Sequence, residues 1–80
     1  MLDYIVVDTS EPKGLMALLD RFGGYHVAHT QSALPELGAT LLGTTAAPGP
    51  AELTEVGSGC LHRVDFEAVN CGQQSTFDML

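Results

Sequence analysis

The sequence predicts an α+β fold on three observations: a β-forming apolar run from Leu2 to Val7, helical spacing at Leu15, Leu18, Leu19 and Phe22, and clean alternation from Leu61 to Val69. In the first element Tyr4, Ile5, Val6 and Val7 all favour strands. Their near-continuous hydrophobicity predicts burial on both faces and a central position in the sheet. In the second, Ser10 is placed to cap a helix and Glu11 and Pro12 suit its first turn. The four apolar residues recur at i, i+3, i+4 and i+7, and Gly23-Gly24 supplies the stop, so a helix is predicted over about residues 11–22.

Tyr25–Thr30 alternates, with Tyr25, Val27 and His29 on one face and His26 and Ala28 on the other, which predicts a second strand. Residues 31–38 contain Pro35 and read as a connection or a single helical turn, followed by a strand over Ala39–Thr45. Ala46-Ala47-Pro48-Gly49-Pro50 breaks the chain, because each proline fixes φ and withholds an N–H. Residues 50–56 suit either a short helix or a strand. In the last strand His62, Val64, Phe66 and Ala68 form one side, and Leu61, Arg63, Asp65, Glu67 and Val69 the other, wet one. Residues 70–80 have little periodicity and are expected to be mobile unless Phe77, Met79 or Leu80 covers something. The elements assemble into one helix packed on a four- to five-stranded, mainly antiparallel sheet, with a ferredoxin-like βαββαβ sandwich as one such arrangement.

A chain of 80 residues supports one core and one domain, 1–80, since folding at this size buries only roughly 60% of the unfolded surface. The 45% apolar content excludes the intrinsically disordered class. An apolar-rich domain this small is also expected to hide surface in a homodimer. Its formal charge of −7, with Lys13, Arg21 and Arg63 as the cations, opposes binding to nucleic acid and anionic membranes. The same charge favours a protein partner with a basic surface. No basic leader or long apolar stretch is present, which predicts a cytoplasmic protein. Cys60 and Cys71 are then expected as reduced thiols.

Chemistry-bearing residues are few. His26, His29, His62, Cys60 and Cys71 are the residue types that zinc and copper prefer, but no C-x-x-C pair exists and His26 and His29 fall on opposite faces of a strand. Cys60 lies two residues from His62 without a recognisable nucleophile signature. Asp65 and Glu67 share a face and read as solvated acids rather than an acid–base couple. Gly23-Gly24 and Gly57-Ser58-Gly59 lack the context of a phosphate loop. The segment from Gln74 to Leu80 only loosely matches a clamp-docking peptide. No catalytic residue, metal or cofactor is assigned.

The expected function is that of a small acidic, non-enzymatic module that binds and modulates, as regulator or inhibitor, a larger basic protein. Inhibitors encoded by phages and mobile elements share this character, as a class-level analogy. Its partner-facing residues are expected to be Asp65 and Glu67, with Glu52 and Glu55 nearby. The alternative is a small dimeric α+β ligand-binding protein or enzyme using His26, His29, His62 or Cys60.

Overall fold

Alternation of inward and outward side chains governs just over half of the chain, because six segments of it are strands. The structure, a computed structural model, describes residues 2–80. Strands β1 (Leu2–Ser10), β2 (Leu15–Asp20), β3 (Tyr25–Thr30), β4 (Thr40–Gly43), β5 (Gly49–Glu55) and β6 (Leu61–Cys71) precede a short helix, α1 (Gln73–Met79). The strands close into an antiparallel barrel in the order β1-β2-β3-β6-β5-β4. It consists of two three-stranded meanders, β1-β2-β3 and β4-β5-β6, joined through the β1–β4 and β3–β6 ladders.

This architecture corrects the α+β expectation. No helix packs on an open sheet; the fold is mostly β, and neither a ferredoxin-like sandwich nor a helix over 11–22 forms. Ser10-Glu11-Pro12 opens only a single 3-10 turn, Glu11–Lys13, and the Ser10 side chain makes no capping hydrogen bond to it. Gly14, at φ 66°, ends that turn. A Cβ there would lie 2.9 Å from the Thr30 carbonyl oxygen, so the close approach also requires glycine.

From Leu15 onward the apolar run satisfies period two as well as period 3.6. Met16 and Leu18 point into the barrel, and Phe22 lies in the following turn, 79% exposed. The strand prevails because β1 and β3 both hydrogen-bond to it, which a helix would leave unpaired. The ambiguous segment at 50–56 is likewise strand β5.

Tyr4, Val6, Met16, Leu18, Ala28, Leu41, Leu53, Val64 and Phe66 fill the interior. Each large apolar side chain so buried stabilises by about 1.5–3 kcal/mol. The packing is tight enough that a Cβ on Gly43 would overlap the Leu53 side chain.

Two register shifts against β3 adjust β6. Ala28 pairs with Phe66 but Val27 with Ala68, which makes Glu67 a bulged residue. The predicted alternation of β6 therefore holds through Phe66 and reverses beyond it. Ala68 pairs with the outward Val27, while Val69 packs against the core. The second shift falls at Val69–Asn70, where Asn70 adopts φ 51°, a conformation that asparagine tolerates better than most residues.

Candidate functional site

The surface that best fits a binding role crosses β3, β6 and β5. Cross-strand pairing sets His29 beside Asp65 and Asp65 beside Pro50, with Glu52 opposite Arg63 in the next row. Together with Gln31 and Ser32 these side chains line an open groove of about 580 Å³. Alternation explains the grouping: Leu53, His62 and Val64 turn inward, so their neighbours turn outward.

Within the groove Arg63 Nε lies 3.3 Å from Glu52 Oε2, an exposed ion pair of small energetic value. Asp65 has no cationic partner among the described residues. The Ser32 hydroxyl is 3.1 Å from that of Thr30. His29 lies over Gly14, where a Cβ would come within 3.1 Å of its Nε2. Two carboxylates, a guanidinium, an imidazole and an amide form a groove that offers polar and ionic contacts; Ser32 is engaged by Thr30 and has no base bonded to it.

Of the four predicted partner-facing acids, Glu52 and Asp65 line this groove, and Glu67 is exposed two residues further along β6. Glu55 does not join them. It faces the same way as Leu53, toward the mouth of the barrel, where its Oε1 lies 3.0 Å from His62 Nε2. Glu52 is also already balanced by Arg63.

The histidines do not converge. His29 is outside the barrel, whereas His26 and His62 are buried inside it, near opposite ends of β6: His62 lies at its start, and His26 contacts Asn70 close to its end. Cys60 is exposed next to the start of β6 and Cys71 is at its end, which exceeds the roughly 7 Å Cα separation that a disulfide tolerates. Among the described residues no group of three or more His, Cys, Asp and Glu side chains is placed to hold a metal ion.

A second polar cluster escaped sequence reading because its key acid, Asp20, falls within the expected helix. Asp20 Oδ1 accepts from the Phe22 and Gly24 amides at 2.8 and 2.9 Å and closes the β2–β3 turn, while Oδ2 binds His26 Nε2 at 2.8 Å. Burial opposes ionisation of this carboxyl, but the His26 hydrogen bond and the two amides outweigh it and hold Asp20 below its ordinary value.

His26 Nδ1 accepts from the Asn70 N–H at 3.0 Å, so the hydrogen-bond partners assign the ring proton to Nε2. The ring also meets Tyr4 and Phe66 edge-on, with centroids at 5.6 and 6.1 Å. The Tyr4 hydroxyl donates to the Thr44 carbonyl at 2.7 Å, and its burial, with Asp20 nearby, raises its pKa. Both nitrogens of His26 are engaged by structural partners, and no nucleophile adjoins it in these contacts. This geometry is that of a structural lock rather than a general base. The signal available in the sequence was the turn Asp20-Arg21-Phe22-Gly23-Gly24, whose acid and glycines suit a side-chain-closed hairpin.

No helix among the described residues is long and apolar enough to cross a membrane. The chain matches no protein-family model, no curated protein and no solved structure.

Proposed function

We propose that this barrel is an acidic protein-binding module whose β3–β6–β5 groove receives a basic segment of a larger protein and modulates that protein by occupying it. The observation that carries the reading is the placement of Asp65 and Glu67, both exposed on β6 beside a groove and without a cationic partner among the described residues. A lysine or arginine entering the groove meets Asp65 directly and competes with Arg63 for Glu52. The net charge of −7 adds long-range attraction for such a segment and raises its rate of encounter. The alternative, a ligand-binding protein or enzyme built on the histidines or Cys60, has less support, because those side chains are dispersed over both ends and the outside of the barrel.

The test is titration of the 15N-labelled protein with a lysine- and arginine-rich peptide and with an acidic peptide of equal length. Amide shifts centred on His29, Glu52, Asp65 and Glu67 are expected with the basic peptide alone. They should weaken as ionic strength rises and disappear in an Asp65→Lys/Glu67→Lys variant. No shifts at millimolar basic peptide, or shifts centred elsewhere, would overturn the reading.

A further inference from the structure

The two outer sides of the barrel are finished differently. Over β3 and β6 lies α1, and the outward-facing Ala17 and Val27 are fully buried. On the other side β1, β4 and β5 present their outward side chains to solvent. Register aligns Ile5 with Thr40, and Leu42 with Thr54 and then Leu61. Val56 adjoins the first row through its amide, which donates to the Thr40 carbonyl. Ile5, Val56 and Leu61 are 47, 53 and 50% exposed, and Leu42, Thr54 and Leu61 help line a depression of about 520 Å³. Contiguous apolar surface of this kind marks an association site.

Charge identifies the occupant. Two copies of a chain carrying −7 repel one another across most of their surfaces. This face is bordered instead by acids that are already balanced: Asp3 accepts from Arg21 Nε at 2.7 Å on the β1 side, and Glu52 Oε2 pairs with Arg63 Nε at 3.3 Å on the β5 side. Both arginines of the chain therefore lie at the margins of the same apolar centre. With β4 between them, the two ion pairs sit on opposite sides of the patch. A two-fold rotation through the patch therefore brings together margins whose acids are already neutralised within each copy, over an apolar middle. A standard interface takes about 800 Å² from each partner, less than a fifth of the 4528 Å² surface of the chain.

We infer that the outer face of β1, β4 and β5 binds a second copy of this chain, forming an isologous two-fold dimer. This interface shares the Glu52–Arg63 pair at its margin with the acidic groove but carries the opposite salt dependence. Added salt screens the net repulsion between the copies while leaving the apolar contact intact, so the dimer persists or tightens where peptide binding in the groove weakens.

Light scattering of the full chain over a micromolar-to-millimolar series is expected to show its mass rising from that of one chain to that of two, as readily at high salt as at low. An Ile5→Lys/Leu61→Lys variant should remain at the mass of one chain with an unchanged far-UV circular dichroism spectrum, while Glu67→Lys should still dimerise. Concentration-dependent amide shifts in the unaltered protein, expected at Ile5, Thr40, Leu42, Thr54 and Leu61, provide a readout that requires no variant to fold. A wild-type chain that stays monomeric at millimolar concentration in high salt would overturn the inference. So would a folded Ile5→Lys/Leu61→Lys variant that still dimerises, or shifts confined to the Asp65 and Glu67 side.

Discussion

The two ends of the barrel each contain a buried histidine bonded to a carboxylate, yet the two pairs are built differently. At one end His26 is held by Asp20 and the Asn70 amide, and the Asp20 side chain is only 7% exposed. At the other, His62 meets Glu55, which remains 26% exposed. Asp20 also closes a turn with its second oxygen, whereas among the described residues the Glu55 side chain bonds to His62 alone. A buried, fully partnered carboxylate is expensive to orphan; a half-exposed one regains water. The difference teaches that a histidine–carboxylate pair carries structural weight in proportion to what else depends on its acid.

The sharpest way to break that comparison is His26→Ala, which leaves Asp20 without its ring partner, leaves the Asn70 amide without an acceptor, and opens a cavity beside Tyr4 and Phe66. A loss of about 3–5 kcal/mol in urea unfolding is expected. A loss below that of His62→Ala would reverse the ranking.

Asp20→Asn comes next. It keeps an oxygen for the turn amides but removes the charged acceptor of His26, and about 2 kcal/mol should go. The pH dependence follows from the lowered pKa of Asp20. A carboxyl depressed in the folded state stabilises fully above its unfolded value, near 3.9. That contribution is lost as pH falls below the unfolded value and through the lower folded one. Stability below about pH 4 should therefore decline less steeply in Asp20→Asn than in the unaltered chain; equal slopes would show that Asp20 carries none of the acid sensitivity.

The smallest effect belongs to the other end. Glu55→Gln should cost under about 1 kcal/mol, because the amide oxygen still reaches His62 and the site is partly wet.

Legibility followed the same division between local and remote determinants. Tyr25–Thr30 is a strand with the predicted faces, and Leu61–Val69 falls within β6, because strict alternation is itself the physical condition for a half-buried strand. Glu52, Asp65 and their neighbour Arg63 could be placed on one outer face once β5 and β6 were paired. Glu55 could not be separated from them, since residues 50–56 have too few apolar side chains to reveal which way each one points. The Asp20–His26–Asn70 cluster was hidden for another reason: a hairpin and a bulge on a strand distant in sequence bring its members together.

The chain by itself determined its charge, its turns and the segments whose alternation admits one solution. Even in the misread segment Ser10-Glu11-Pro12 does open a turn, but it is one 3-10 turn that ends at Gly14, not a helix that runs to the expected stop at Gly23-Gly24. Tertiary structure decided the rest. Leu15–Leu19 fits a helix stripe and a strand equally well, and only partners far away in sequence, β1 and β3 lying on either side with unpaired N–H and C=O groups, tip it to strand. Closure of the barrel follows in turn, because the β1–β4 and β3–β6 ladders join the two meanders at both edges and leave no strand edge open.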